Sequence, residues 1–172
     1  MQLILYVRQS FYFDETWSII CYMFLSKMQL QKLILQRQIS IEPFDIGNIK
    51  EASYTFTLHG IVKKIKQVTL LDVQVPPDFE TIDISENGYI LNPGDFAIFF
   101  TKEKVTLNGQ YVCLLSCLSK IAQIGLNVTQ GSFFAEPDTN NRFVLEVTNT
   151  GPFPVILYSG TKIIKGIFSK IA

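Results

Sequence analysis

The chain has 172 residues, enough for one domain with a substantial core and too few for two, and 48% of them are hydrophobic, which excludes a disordered segment. Lys plus Arg and Asp plus Glu stand at 15 each, so the basic stripe that would mark a partner such as nucleic acid or an anionic membrane is absent. A polyanionic small ligand would need cations brought together locally.

Residues 1–27 form an N-terminal extension of doubtful role. Its apolar run from Trp17 to Leu25 is far too short to span a membrane. The run follows Asp14 and Glu15 and lacks a small-residue cleavage site, which argues against a signal peptide. Two readings stand: an extension the fold does not need, or an extra strand pair on the surface. The first is expected, with the domain itself over 28–172. Cys21, Cys113 and Cys117 lack both disulfide-framework and zinc spacing. Cys113 and Cys117 read as small buried hydrophobes near one strand, and a reducing, cytoplasmic setting is expected.

Gln29 to Gln38 lacks Gly and Pro and sets Leu30, Leu33 and Ile34 at helical spacing, which predicts a short amphipathic helix. Ser53 to Leu58 alternates polar with apolar, as a half-buried strand does. Further strands are expected at 68–75, 89–91, 96–101, 111–115, 143–148, 155–157 and 162–168, where β-branched and aromatic residues dominate. Turn dipeptides such as Asn87-Gly88, Asn108-Gly109 and Gly151-Pro152 separate them. Many short strands between turns predict an all-β sandwich or jelly roll. Ile90-Leu91-x-x-Gly94 is echoed by Ile156-Leu157-x-x-Gly160. The echo reads either as one hairpin shape used twice or as coincidence. One helical turn is expected at Ser119–Gly125, with Ser119 as its N-cap.

Four runs in the second half carry the functional signal. They are Leu91-Asn92-Pro93-Gly94-Asp95-Phe96-Ala97, Ile121 to Gly125-Leu126, Leu145-Glu146-Val147-Thr148-Asn149-Thr150-Gly151-Pro152, and Gly160-Thr161-Lys162-Ile163. In order and spacing they resemble the dCTP deaminase branch of the dUTPase-like superfamily, from about Met28 onward. The resemblance implies a distorted jelly roll with one or two short helices. It also implies a homotrimer and a pyrimidine deoxynucleoside triphosphate as ligand.

In that branch an Arg-Ser-Ser-x-x-Arg run before Gly-Leu holds the triphosphate. Set on Gly125-Leu126, its four polar positions fall on Leu118, Ser119, Lys120 and Gln123. Both guanidiniums are missing, a loss of about 3–6 kcal/mol of phosphate affinity. Lys120 can return part of it as a point charge, and reads equally as a solvated lysine. Arg142 and Lys162 are further candidates toward phosphate. The Leu-Glu pair that carries the family's general base falls on Leu145-Glu146. Glu146 would share a face with Val144 and Thr148, and its alternative is a strand glutamate paired with Arg142.

The zinc route to deamination needs His-x-Glu and Pro-Cys-x-x-Cys, and the only histidine, His59, stands in neither. No protein-bound cofactor or metal site is expected; any Mg²⁺ would ride on the nucleotide triphosphate. The segment Gln130 to Ala135, where the family grips the base, is two residues longer here. The last expected strand is followed directly by Ala172, where deaminases continue into a closing tail. These departures put a degenerate homologue with weak or lost deamination of dCTP to dUTP ahead of an active zinc-independent deaminase with Glu146 as base. A dUTPase ranks third.

Overall fold

The computed structural model describes residues 24–171. Most of the N-terminal extension lies outside the described residues, and with it both readings of its role. Its last residues do not. Leu25 is 7% exposed, and its N–H donates to the Phe168 carbonyl at 2.8 Å. Ser26 opens the helix α1 (Lys27–Leu35) with a capping box: its Oγ accepts the Gln29 N–H, and Gln29 Oε1 accepts the Ser26 N–H at 2.8 Å. The domain therefore begins before Met28. Deleting Met1 to Lys27 would remove a core leucine together with a helix cap.

α1 ends earlier than Gln38 because Arg37 turns left-handed, at φ 56°. The Gln38 N–H then reaches the Leu33 carbonyl and the Arg37 N–H that of Ile34, a Schellman turn. The strands follow as β1 (Ile39–Glu42), β2 (Ile49–Lys50), β3 (Ser53–Thr57), β4 (Ile61–Ile65), β5 (Phe79–Asp83), β6 (Tyr89–Leu91), β7 (Phe96–Leu107) and β8 (Tyr111–Cys117). After the helical turn α2 (Ser119–Ala122) come β9 (Leu126–Asn127), β10 (Phe134–Ala135), β11 (Asn140–Asn149), β12 (Val155–Leu157) and β13 (Lys162–Lys170). One sheet runs β5-β4-β7-β11-β9, with β1 also on β7; a second runs β10-β8-β13-β3-β2. This is the all-β, jelly-roll type expected.

Alternation along β7 and β11 builds the core between the sheets. Ala97, Phe99 and Val105 are buried with Phe143, Leu145 and Val147, while the alternate residues Ile98, Phe100, Lys104, Val144 and Glu146 face outward. Phe143 meets Phe56 of the other sheet edge to face at 5.2 Å. Glu103, also buried, ties the sheets with polar bonds: it accepts the Thr57 N–H at 3.0 Å and the Thr57 hydroxyl at 2.8 Å. Cys113 is buried against Phe56 and Gly166, and burial pushes its thiol far above the ordinary range. It is an inert packing residue.

Two sequence expectations change. The echoed runs are not two separate hairpins, because each supplies one strand of a single ribbon. Ile156 of β12 pairs with Ile90 of β6, and Gly94 and Gly160 follow with φ of 85° and 79°. Val68 to Val75 is no strand. Asp72 folds the segment on itself, its Oδ1 accepting the Gln74 N–H and its carbonyl the Val75 N–H, and Val73 is fully exposed. β-Propensity alone does not make a strand where no partner edge lies beside it.

Leu25→Ala in the full chain should lower the unfolding free energy by about 2–5 kcal/mol. Ser26→Ala should lower it by about 1 kcal/mol. Urea denaturation reads both, and a wild-type midpoint for Leu25→Ala would return the domain boundary to Met28.

Candidate active site

β11 is held on both sides. Glu146 lies opposite Ile98 of β7, and Ile98 in turn lies opposite Lys63 of β4. Val144, Glu146 and Thr148 share the outward face, as the alternation predicts. Glu146 is half-buried, and its Oε2 is buried with no hydrogen-bond partner. An unpartnered carboxylate oxygen is costly, and such groups gather where chemistry needs them.

Beside Glu146, Gln130 donates through Nε2 to the Thr148 hydroxyl. Gln130 opens the lengthened loop, whose next residues wall a cleft of about 530 Å³ with Ser132, Phe134 and Glu136. Val144, Phe100 and Arg142 also line it. The loop is held by β10, which pairs with Cys113 and Leu114, and by the Leu115 N–H to the Phe133 carbonyl at 2.7 Å. Lys63 stays on the outward face, its ammonium over the rings of Phe79 and Phe100 at 5.8 and 5.7 Å.

Arg142 does not pair with Glu146. A register shift between Arg142 and Val144 turns its guanidinium to the Thr101 carbonyl, at 3.2 Å. The ion pair weighed as an alternative for Glu146 is therefore absent, and Arg142 belongs to the cleft wall. His59 lies two residues beyond β3, in the connection to β4, with its N–H on the Phe100 carbonyl. Burial, and then the nearby Arg142 charge, hold its pKa below the ordinary value.

The helical turn α2 forms where expected, with one shift: Leu118, not Ser119, is the N-cap, and no side chain caps it. Ser119, Lys120 and Gln123 are all exposed. The Leu118 N–H donates to the Ile163 carbonyl at 3.2 Å, so Lys162 flanks the first turn of α2. Ser119, Lys120 and Gln123 share the one turn of α2 or its end, Lys162 is the chain neighbour of the residue that holds its start, and Arg142 lines the cleft instead. Gly125 then leads into β9, and Asn127 pairs with Thr148, two residues from Glu146. Gly125 needs φ 85° and lies so close to Gly151 that an added Cβ would stand 2.4 Å from the Gly151 Cα. Only glycine fits there.

A family model described as dCTP deaminase-like matches residues 24–171. The chain belongs to the dCTP deaminase-like family. A "dCTP deaminase, dUMP-forming" of Hydrogenobaculum sp. is 24% identical over 149 residues, 87% of this chain and 83% of that protein. Its namesake from Nanoarchaeum equitans is 28% identical over 161 residues, 82% and 81% of the two chains. In fold, the 2'-deoxycytidine 5'-triphosphate deaminase of Agrobacterium tumefaciens is similar, with a TM-score of 0.68 at 16% identity. That likeness covers 87% of this chain but only 48% of the Agrobacterium one. The dUTPase of phage phi11 of S. aureus shares the fold at a TM-score of 0.52 and 11% identity, over 78% and 91% of the chains.

Sequence reasoning placed Glu146 on its face but passed over Gln130 as a side chain. Its partner Thr148 is 18 residues away in the chain, and no local pattern announces such a contact. Among the described residues no three His, Cys, Asp or Glu side chains come together.

The two carboxylates near β7 should respond oppositely to removal. Glu103→Ala strands the Thr57 N–H and should cost about 2–4 kcal/mol. Glu146→Gln should stay within about 0.5 kcal/mol of wild type. Thermal unfolding of both variants checks this, and equal losses would make Glu146 a structural residue.

Proposed function

We propose that this protein binds a cytosine deoxynucleotide and deaminates it slowly, with Glu146 as general base and a weak hold on the triphosphate. The observation that carries this reading is the buried, unpartnered Oε2 of Glu146 on an outward face beside a cleft. Glu146 takes a proton from water as the water oxygen bonds to C4 of the base. Of the two water protons, one ends on N3; the other, carried by Glu146, goes to the departing amino nitrogen. The C4–N bond breaks, ammonia leaves, and C4 becomes a carbonyl.

The phosphates would lie at α2, with Ser119, Lys120 and Lys162 as the available polar groups and Mg²⁺ arriving on the nucleotide as part of the substrate. Leu118 and Gln123 in place of guanidiniums are the ground for weak affinity. The same two residues support the second reading, a homologue that binds nucleotide without turning it over. We place the working protein in the cytoplasm as a homotrimer. The apolar outward residues Phe96 and Val144 suit a subunit interface.

Ammonia release from dCTP, followed with dUTP and dUMP formation in the same preparation, is the deciding assay. Glu146→Gln should abolish release while leaving nucleotide affinity unchanged. Release that survives this change would end the catalytic assignment. Gln123→Arg should tighten dCTP binding about tenfold or more, and Lys120→Ala should weaken it. Unchanged affinity in both would move the phosphate site away from α2.

A further inference from the structure

We propose that the Arg142 end of the cleft is an anion site separate from α2, and that it takes the phosphoryl group of a small ligand. The chain carries no net charge, so such a site has to come from cations gathered locally. They gather around Phe100 and Thr101 of β7. Arg142 donates to the Thr101 carbonyl at 3.2 Å, and the His59 N–H to the Phe100 carbonyl at 2.8 Å. The Lys63 ammonium stands 5.7 Å from the centre of the Phe100 ring, and exposed Lys102 follows Thr101 in the strand. Little neutralises them. Among the described residues the one ion pair joins Lys66 to Asp78, so Arg142, Lys63 and Lys102 have no carboxylate at that range. Glu103 is turned inward and held by Thr57. Asp83 lies near His59, and Glu136 lines the cleft. The excess positive charge leaves its imprint on His59, whose pKa is lowered by burial first and by Arg142 next; Asp83 opposes this and Lys102 adds to it.

A phosphoryl group fits what is left to bind. One Arg142 N–H is anchored on the main chain, and the guanidinium keeps others for the oxygens of an anion. Ser132 and Asn141 line the same cleft and add a hydroxyl and an amide, which suits an oxyanion with several acceptor sites. Phe100, Phe134 and Val144 give an apolar lining for the rest of the ligand. The turn α2 is elsewhere. Leu126 and Asn127, just after it, pair with Asn149 and Thr148, and Arg142 precedes Thr148 by roughly 20 Å of strand. The site stands whether or not Glu146 acts as a base.

His59 is the only histidine, so its imidazole proton signals report on this site alone. The test is a set of proton NMR titrations of the full chain against pH, in inorganic phosphate, in dCTP, and in sodium chloride of matched ionic strength. Chloride screens Arg142 and Lys102 and sets the baseline. An anion seated beside Arg142 favours the imidazolium, so phosphate or dCTP should raise the His59 pKa above that baseline. A rise with inorganic phosphate shows that the phosphoryl group suffices; a rise with dCTP alone makes a nucleotide its source. Arg142→Gln keeps a donor for Thr101, and Lys102→Gln changes an exposed residue. Each should raise the ligand concentration needed for half the response about tenfold. Lys170→Gln removes the same charge elsewhere and should respond as wild type does. A His59 pKa equal in all three solutions overturns the proposal. So does a rise that survives both Arg142→Gln and Lys102→Gln, or one that Lys170→Gln weakens equally. A failure to release ammonia from dCTP bears on Glu146 alone and leaves these outcomes as they stand.

Discussion

The carboxamide of Asn149 is wholly buried at the point where three parts of the fold meet. Its Nδ2 donates to the Leu91 carbonyl of β6 at 2.9 Å and to the Phe153 carbonyl at 2.8 Å, while its Oδ1 accepts the Gly151 N–H at 3.0 Å. Its main chain is equally engaged, with Gly94 N–H on its carbonyl and its own N–H on the Asp95 carbonyl. Buried polar groups of this kind are costly unless complete, and this one is complete. It pins the β6–β12 ribbon to the end of β11. It also sets the Thr150–Gly151 turn against Gly125, whose carbonyl accepts both the Thr150 N–H and its hydroxyl. The register of β11, the exit from α2 and the place of Glu146 all follow from that fixed end.

Against this background the two glutamates near β7 differ in kind. Glu103 is buried with both oxygens accounted for by Thr57, so its charge is part of the tie between sheets. Glu146 keeps one oxygen out of water with nothing to hold it. A fold that satisfies Asn149 and Glu103 so fully has the means to satisfy Glu146 as well; Lys63, two strands across on the same face, rests instead on Phe79 and Phe100. The free energy left in Glu146 is of the sort that substrate or water can recover.

The legible part of the fold was the part that depends on local period. Alternation identified β3, β-branched and aromatic composition between turn signals identified β7, β8, β11 and β13, and Gly88, Gly94 and Gly160 were read as turn glycines because a positive φ leaves a mark in sequence. β1, β4 and β5 carry no such mark: Ile61 to Ile65 is a strand because β5 and β7 lie on either side of it. Val68 to Val75 has the better β composition and no neighbour, so it turns on Asp72 instead. The ribbon shows the same limit. The echo between Ile90-Leu91 and Ile156-Leu157 was visible, but that the two runs pair with each other is a tertiary fact. At the site, period placed Glu146 and motif placed α2, while Gln130 on Thr148 is a contact between loop and strand.

The two ends of the proposed site also differ in how firmly the fold specifies them. The base end is built into β11, between buried Leu145 and Val147, and cannot change face without a shift of register. The phosphate end rests on one short turn of helix whose polar residues, Ser119, Lys120 and Gln123, all face solvent. Only Ile121 is buried there, and Leu118 packs its side chain partly against the core. An arginine at Gln123 would cost the fold nothing, and glutamine there costs it nothing either. Stability therefore constrains Glu146 and its surroundings while leaving the phosphate contacts free to vary. That is why the family can be read from this chain over nearly its whole described length, while the strength of its hold on a triphosphate depends on a few surface side chains that the fold does not require.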